Sequence, residues 1–275
     1  MRLARSPADV RAALTGCPRP FGLVATMGAL HAGHVRLVAR ARAECRTVAV
    51  SIFVNPLQFG PHEDFSRYPR AFDRDLAALR AANVDLVYAP DVATMYPAGF
   101  AARVDPGDVG TRFEGELRPG HFSGVATVCI KLFATIDPDR AYFGAKDAQQ
   151  NAVLRRVVSD LDLPLELVVV PTVRDVDGLA LSSRNVYLNA EERAAAPSLH
   201  RALDEIVRAV GRGESESARA VARGRALLAP PLREAYLGIV DPSTFVALSE
   251  VRRPALVVGS AWAGTTRLID NEPIP

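Results

Sequence analysis

Residues 1–172 alternate between short apolar runs and longer amphipathic segments. Runs that are apolar at consecutive positions, as in strands buried on both faces, occupy residues 21–26, 48–54, 84–88, 141–143 and 165–170. Apolar residues recur at helical spacing between these runs, over residues 34–45, 72–82, 124–136 and 147–160. Repeated alternation of strand and helix predicts an α/β fold, a Rossmann-like parallel sheet with helices on both faces.

The pattern changes in the remainder of the chain. Residues 189–210 predict one long amphipathic helix, and residues 215–228 predict a second. Three short strand-like segments follow, at residues 236–240, 255–260 and 267–269. The chain therefore predicts two domains, 1–172 and a smaller α+β domain over 173–275, joined by a hinge near residues 171–177.

Proline and glycine cluster in three long segments of the first domain, at residues 55–69, 90–107 and 118–124. Long ordered loops in α/β proteins tend to carry function. We therefore expect binding residues in or beside these loops.

The composition is that of an ordinary soluble protein, with 49% apolar residues, 23% charged residues and a net charge of +2. No basic run or stripe marks a nucleic-acid surface, so the predicted partner is a small molecule. No apolar run reaches the roughly 18 residues that a membrane span needs, and the N-terminus lacks the apolar core of a signal peptide. We therefore expect no membrane association and a cytoplasmic location.

The cysteines and the remaining histidines predict no metal centre. Cys17, Cys45 and Cys129 are odd in number and form no CxxC pair, which excludes a disulfide framework and a thiolate zinc site. Cys45 and Cys129 lie among apolar residues and are predicted core thiols. His62 and His121 lie in loops without the spacing of zinc ligands.

The sharpest chemical signal is the segment 26–34, TMGALHAGH, which follows the first apolar run and opens the first predicted helix. Ligands bind at the carboxyl ends of strands in open α/β sheets, and helix N-termini attract anions. His31 and His34 are therefore candidates to reach phosphate oxygens, while Gly33 lets a nucleotide ring approach the backbone. The alternative is that the two histidines only cap the helix.

A second strand-to-helix turn is the segment 144–147, GAKD. Lys146, one of only two lysines in the chain, is a candidate to neutralise charge on a transferring phosphoryl group. Asp147 either accepts hydrogen bonds from a ribose or acts only as a helix cap. One of Gln149 and Gln150 is expected to face the end of the sheet, where its amide would contact a substrate hydroxyl or carboxylate.

A third signal is the segment 181–185, LSSRN. Two hydroxyls and a guanidinium in sequence suit a mobile phosphate clamp, although the same residues are also typical of a turn that leads into a helix.

Polar residues also follow the predicted strand 48–54. Asn55 and Gln58 lie where this buried strand opens into the presumed cleft, so they are candidate substrate contacts. The alternative is a simple turn, which the Asn-Pro pair favours.

Together these motifs resemble the pantothenate synthetase family, a branch of the nucleotidylyl-transferase superfamily that shares its His-x-Gly-His motif with class I aminoacyl-tRNA synthetases. The resemblance covers residues 26–188 and resumes at 264–271, GTTRLIDN. It implies ATP-dependent condensation of (R)-pantoate with β-alanine to pantothenate through a pantoyl adenylate, with release of AMP and pyrophosphate. It also implies Mg²⁺ as cofactor and a homodimer.

The resemblance implies a role for individual residues. The implied ATP-binding residues are Met27, Gly28, Ala29, Leu30, His31, Ala32, Gly33, His34, Gly144, Ala145, Lys146, Asp147, Val173, Leu181, Ser182, Ser183 and Arg184. Those implied to act on the phosphates in catalysis are His31, His34, Lys146, Ser182, Ser183 and Arg184. Those implied to line the pantoate and β-alanine site are Phe53, Asn55, Gln58, Val128, Cys129 and Gln150. Asp75 is the predicted carboxylate near Mg²⁺. Domain 1–172 would bind nucleotide and pantoate, and domain 173–275 would act as a lid.

The sequence departs from the family pattern at three positions. Ala25 stands where the family usually has proline, and Ala145 and Ala148 stand where it has glutamate and an aromatic residue around the lysine. The alternatives are another nucleotidylyl transferase, a fragment of an aminoacyl-tRNA synthetase, or a nucleotide-binding scaffold without catalysis. The balanced charge argues against the tRNA-binding alternative.

Overall fold

The computed structural model describes residues 1–61 and 63–275, so His62 lies outside the described residues. The chain divides into two compact units. Unit 1 consists of Met1–Gly144 and Val153–Val170, and unit 2 consists of Ala145–Ala152 and Pro171–Pro275.

Unit 1 is built on a six-stranded parallel sheet. Its strands are β1 (Arg2–Ala4), β2 (Phe21–Thr26), β3 (Thr47–Ile52), β4 (Leu86–Tyr88), β5 (Arg140–Gly144) and β6 (Glu166–Val170), in the order β1-β4-β3-β2-β5-β6. From β2 the chain runs outward through β3 and β4, then crosses to the other side of β2 for β5 and β6. Such a reversal opens a crevice at the carboxyl ends of the central strands, where ligands of open α/β sheets bind.

The helices of unit 1 are α1 (Pro7–Leu14), α2 (Ala32–Glu44), α3 (Phe72–Ala81), α4 (Val92–Met95), α5 (Glu114–Leu117) and α6 (His121–Ile136). A seventh, α7 (Ala148–Asp160), begins in unit 2 and ends in unit 1. Successive residues of β2 point to opposite faces, because side chains alternate along a strand. Leu23 joins a core with Val10 of α1 and Phe133 of α6, whereas Val24 joins a second core with Leu79 of α3. Helices therefore cover both faces of the sheet, as predicted.

All five predicted strands of this sheet are present, but strand β1 and helices α1, α4 and α5 were not predicted. Strand β1 is a short edge strand in which only Ala4 is buried, so it has no apolar run. Helix α1 has only eight residues, and its apolar stripe of Val10, Ala13 and Leu14 is too short to predict a helix by itself. Its local signals are instead Pro7 at the first helical position and a capping box between Ser6 and Asp9.

The predicted loop 118–124 is shorter than expected, because α6 begins at His121 instead of residue 124. Gly120 precedes the helix with a φ of 81°, a left-handed conformation that suits glycine. The prediction missed the first turn because Pro119, Gly120 and Gly124 indicated a loop, although the buried Phe122 stands at helical spacing from Val125.

Unit 2 contains a three-stranded antiparallel sheet of β7 (Arg233–Val240), β8 (Ala255–Ala263) and β9 (Thr266–Ile274). Its helices are α8 (Ala190–Ala195), α9 (Ser198–Gly211) and α10 (Ser217–Arg225). The predicted single helix over 189–210 is wrong, since α8 and α9 are separated at Pro197. Proline has no N–H to donate and its ring displaces the preceding carbonyl, so the hydrogen-bond ladder breaks there.

The predicted fold class is confirmed, a Rossmann-like parallel sheet with helices on both faces plus a smaller α+β unit. Among the described residues, none of the helices combines the length and apolarity that crossing a membrane requires.

Candidate functional site

The turn after β2 is held by a buried carboxylate. Gly28 and Ala29 have φ angles of 83° and 51°, so the backbone here is left-handed. Asp75 on α3 is 1% exposed, and its two oxygens accept hydrogen bonds of 2.8 Å from the N–H groups of Ala29 and Leu30. A Cβ at Gly28 would lie 3.1 Å from the Asp75 carboxylate, so the close approach also favours glycine. Asp75 therefore braces the turn that precedes the two histidines.

This bracing contact was not predicted for Asp75. The sequence offered it as a carboxylate near Mg²⁺, and that role stays a prediction. Each of its oxygens already accepts from an N–H donor, so two of the roughly four lone-pair sites of the carboxylate are in use.

His31 and His34 form the N-terminal cap of α2. The Nδ1 atom of His31 accepts a hydrogen bond of 3.1 Å from the N–H of Gly33, and Nδ1 of His34 accepts one of 3.3 Å from the N–H of His31. The two rings lie 4.1 Å apart. Because Nδ1 accepts in both rings, each neutral imidazole carries its proton on Nε2. Capping and phosphate binding are therefore compatible, since they use different nitrogens of the same ring.

Asn55, at the carboxyl end of β3, is the centre of a buried hydrogen-bond cluster. Its amide nitrogen donates to the side-chain oxygen of Gln58 at 3.0 Å and to the backbone oxygen of Gly124 at 3.1 Å. Its oxygen accepts from the N–H of Leu57 at 3.3 Å and from the hydroxyl of Tyr96 at 2.8 Å. Asn55 thus fixes the orientation of the predicted substrate-contacting Gln58.

Gly124 lets α6 approach this cluster closely. A Cβ at Gly124 would lie 2.2 Å from the backbone oxygen of Leu57, within the short 3₁₀ helix Pro56–Gln58. Backbone contact at this distance leaves no room for a side chain.

Three further residues predicted to line the substrate site lie together in one core cluster of unit 1, namely Phe53, Val128 and Cys129. Burial raises the pKa of the Cys129 thiol to about 12. The ring of Phe53 meets that of Tyr96 edge-on at 6.0 Å, and burial also raises the pKa of the Tyr96 phenol. Tyr96 was not predicted, although it lies in the proline- and glycine-rich loop 90–107, the one available signal.

The backbone oxygen of Gln58 is held by two residues that the sequence placed only in a loop. Arg118 donates to it at 3.1 Å and also pairs with Glu63 at 2.5 Å. His121 Nδ1 lies 2.8 Å from the same oxygen, and its Nε2 lies 3.0 Å from a nitrogen of Arg118. A carbonyl only accepts and a guanidinium only donates, so His121 is the neutral tautomer with its proton on Nδ1.

Lys146 lies in unit 2, in the turn that precedes α7. Its ammonium is 3.3 Å from the carboxylate of Asp147, and its side chain is 18% exposed. The amide of Asn271, on β9, donates to the backbone oxygens of Ala145 at 2.9 Å and Lys146 at 2.8 Å. The backbone oxygen of Asp147 accepts a hydrogen bond from the N–H of Asn151. Asp147 therefore occupies the N-terminal cap position of α7 that the sequence suggested.

Residues 173–181 form a tight hairpin. The N–H of Leu181 donates to the oxygen of Val173 at 3.0 Å, and Arg174 pairs with Ala180 in an antiparallel bridge. Gly178 completes the turn with a φ of 94°. Val173 and Leu181, two predicted ATP contacts, are therefore neighbours.

The predicted phosphate clamp follows directly. Ser182 caps the 3₁₀ helix Ser183–Tyr187, and its hydroxyl accepts from the N–H of Arg184 at 3.3 Å. The amide of Asn185 donates to the oxygen of Ala180 at 3.1 Å, which fastens the helix to the hairpin. The alternative of a turn leading into a helix therefore describes the local structure, and the phosphate-clamp role stays a prediction.

A charged network anchors the hairpin. Arg174 donates to the buried Asp270 at 2.5 and 3.1 Å and to Glu272 at 2.5 Å. Burial raises the pKa of Glu272, and the charge of Arg174 opposes this shift. No role was predicted for these three residues, although Asp270 lies in the segment 264–271 that carries the family resemblance.

A group with metal-ligating side chains occurs at the edge of this network, among the residues that the structure describes. His200, Asp204 and Glu272 offer ligand atoms within 4.8 Å of one another. Oε1 of Glu272 already pairs with Arg174, so a cation bound here would share this carboxylate with a guanidinium.

Each unit thus gathers part of the predicted site. Unit 1 contains the turn 27–34, the bonded pair Asn55 and Gln58, and the core cluster that holds Phe53, Val128 and Cys129. Unit 2 holds Lys146, the partly exposed Gln150, the hairpin and the clamp. Gln149, the other glutamine of this pair, is buried.

Comparison with known proteins identifies the family. The family model of pantoate-beta-alanine ligase matches residues 2–273. A pantothenate synthetase of Roseiflexus sp. (strain RS-1) is 52% identical over 273 residues, which is 98% of either chain.

Two solved structures agree with this match. The crystal structure of pantothenate synthetase from Thermus thermophilus is 50% identical, with a TM-score of 0.95 over 100% of this chain and 99% of that one. The pantoate-beta-alanine ligase of Francisella tularensis, complexed with beta-gamma ATP and beta-alanine, is 29% identical with a TM-score of 0.82 over 100% and 98%. This chain therefore belongs to the pantoate–β-alanine ligase family.

Proposed function

We propose that this protein condenses (R)-pantoate with β-alanine, consuming ATP and releasing AMP and pyrophosphate. The observation that carries the proposal is the match of residues 2–273 to the family, which spans every motif singled out in the sequence. The histidine pair, the lysine turn and the Ser-Ser-Arg segment occur in that order along the chain.

In the proposed first step, a carboxylate oxygen of pantoate attacks the α-phosphorus of ATP. The new P–O bond forms as the bond to pyrophosphate breaks, giving pantoyl adenylate. A carboxylate needs little activation, so positioning and charge stabilisation carry the catalysis. The Nε2–H groups of His31 and His34 would donate to phosphate oxygens, because both Nδ1 atoms serve the helix cap.

The cations of unit 2 supply the remaining charge. Lys146 is a compact ammonium suited to the phosphate that is transferred, and Arg184 would bind phosphate oxygens through its planar fork. Ser182 and Ser183 would add hydroxyl donors. Magnesium stays a prediction from the family resemblance. Asp75, the carboxylate predicted near it, accepts from two N–H donors. The proposed steps therefore use only the chain's own residues and ATP.

In the second step, the neutral amine of β-alanine attacks the acyl carbon of the adenylate. The C–N bond forms as the bond to AMP breaks, and the proton that the amine loses passes to solvent. A mixed anhydride hydrolyses in water, so the site must exclude water at this stage. We propose that residues 173–275 act as the lid that does so.

The substrate contacts are also proposals. Gln58, oriented by Asn55, and Gln150 would bind pantoate, with Phe53, Val128 and Cys129 forming the apolar wall. ATP would contact the turns 27–34 and 144–147, the hairpin residues Val173 and Leu181, and the clamp. A homodimer and a cytoplasmic location complete the proposal.

The test is to incubate purified protein with ATP, Mg²⁺ and D-pantoate, with and without β-alanine, and to measure pyrophosphate and AMP. We expect pyrophosphate to require pantoate, and sustained AMP release to require β-alanine. ATP binding without pyrophosphate would contradict the proposal and favour a different acid acceptor or a non-catalytic scaffold.

Lys146 provides the sharpest variant, with the other lysine as control. Lys146→Ala should lower the rate of pyrophosphate release by about 10²-fold or more, the usual scale for loss of a transition-state charge contact. Lys131 lies 5.1 Å from the ring of Phe100, and Lys131→Ala should keep most of the rate. An unchanged rate in Lys146→Ala would contradict the assigned role.

A further inference from the structure

The two nucleotide-contacting segments proposed in unit 2 are far apart in sequence but share one anchor. The Lys146 turn and the hairpin 173–181 are each bonded to β9, at the consecutive residues Asp270 and Asn271. Both anchors are buried, at 5% and 7% exposure.

Asn271 fixes the backbone on both sides of Lys146. The oxygen of Ala145 belongs to the peptide plane before the Lys146 Cα, and the oxygen of Lys146 belongs to the plane after it. The Asn271 amide donates to both, at 2.9 and 2.8 Å. Since peptide units are planar, two fixed planes determine the φ and ψ of the residue between them. The direction in which the Lys146 side chain leaves the backbone is thereby set.

Asp270 fixes the hairpin in a similar way. Its carboxylate accepts from Arg174 through two nitrogens and from the backbone N–H of Asn271 at 2.9 Å. Arg174 also donates to the oxygen of Gly178 at 3.2 Å, so one guanidinium joins the strand to the turn of the hairpin. The carboxylate therefore also links the two anchors to each other.

We propose that Asn271 is a positioning residue for Lys146. Together, Asp270 and Asn271 hold the lysine turn and the hairpin 173–181 in the relative position that binding of ATP requires. This inference rests on the proposed function. It assigns Asn271 no contact with substrate; the residue acts through the lysine backbone. Loss of its amide should therefore lower the turnover of adenylation more than the affinity for ATP.

The test compares Asn271→Ala with the wild-type chain in the pantoate-dependent release of pyrophosphate. We expect kcat to fall by about 10- to 100-fold, the cost of misplacing a catalytic group by roughly 1 Å, with a smaller change in KM for ATP. Asn271→Ser, which keeps one small donor, should be intermediate, and it serves as the test variant if Asn271→Ala fails to fold.

A double-mutant cycle separates positioning from general loss of structure. In a Lys146→Ala background, Asn271→Ala should change kcat less than about twofold, because residues that act through one another are not additive. Ile239→Ala is the stability control: Ile239 is buried in the β7 core of the same unit. It should lower the melting temperature yet keep the kcat of the folded protein.

Three outcomes would overturn the inference. They are an unchanged kcat in folded Asn271→Ala, an equal loss with and without Lys146, or the same loss in Ile239→Ala. Failure of the proposed function is distinct from these, because then the wild-type chain itself would release no pyrophosphate.

Discussion

Replacing Asp75 by asparagine tests how the turn before the two histidines is held. The change keeps the shape of the side chain but substitutes an NH₂ group for one of the two acceptor oxygens. Those oxygens accept from the N–H groups of Ala29 and Leu30 at 2.8 Å each, in a place that is 1% exposed. One backbone donor would then face another donor.

The size of the effect follows from these two bonds. A buried donor left without an acceptor costs about 1–3 kcal/mol, and replacing the remaining charge-assisted bond by a neutral one costs about 1 kcal/mol more. We therefore expect Asp75→Asn to lower the free energy of unfolding by about 2–4 kcal/mol. For a domain of 150–250 residues, that corresponds to a fall in Tm of roughly 4–16 °C.

Thermal and denaturant unfolding, with and without Mg²⁺, measure this loss. Asp73→Asn is the matched control, because Asp73 is exposed in the same first turn of α3. That variant removes the same charge and should cost at most about 1 kcal/mol through the helix dipole. Pyrophosphate release should fall in Asp75→Asn, since the turn carries His31 and His34.

Two results would refute this reasoning. One is a stability loss in Asp75→Asn no larger than in the control. The other is unchanged stability without Mg²⁺ together with a higher Mg²⁺ requirement for activity, which would support the predicted role of Asp75 near Mg²⁺.

Three other predictions concern separate parts of the chain. Gly124→Ala should destabilise unit 1 by about 2 kcal/mol or more, although alanine favours helices by about 1 kcal/mol, because its Cβ would lie 2.2 Å from a backbone oxygen; equal or higher stability in urea unfolding would contradict this. Cys129, with its pKa raised to about 12, should resist alkylation at pH 8 in the native protein, whereas the partly exposed Cys17 should react first, as mass spectrometry would show; early labelling of Cys129 would be the contrary result. The Ser243 hydroxyl helps lower the pKa of Asp241 from 3.8 to about 2. The ionised Asp241 carboxylate therefore stabilises the folded protein fully above about pH 4, and this contribution is lost as the pH falls toward 2. Asp241→Asn should flatten the stability curve over that range, and an unaltered slope would exclude this contribution.

The sequence predicted those parts of the fold that leave a pattern of apolar positions along the chain. The central strands are apolar at consecutive positions because both faces of the sheet are covered, so β2 was predicted with its observed bounds. Edge elements lack this signal, as β1 shows. In the 189–210 segment the amphipathic period continues across Pro197, and the break in the helix depends on one missing N–H.

The candidate site divides in the same way. Groups that act within a few residues of each other, such as His31 and His34, leave a motif that can be read directly. Asn271 and Lys146 are 125 residues apart, and an asparagine on a strand has no local feature that names its partner. Asp75 shows a related limit: its residue type suggested a metal, but only the fold reveals that its oxygens face two N–H groups.

The anchoring of Lys146 by β9 has a consequence for synthesis of the protein. The ribosome completes the lysine turn 125 residues before it reaches Asn271. At 5–20 residues per second, that interval is roughly 6–25 s. All strands of the parallel sheet have been translated by residue 170, so the complete sheet of unit 1 is available early. The lysine, by contrast, stays unanchored until nearly all of unit 2 has been translated, and a product terminated ahead of β9 would contain every catalytic candidate without the strand that orients Lys146.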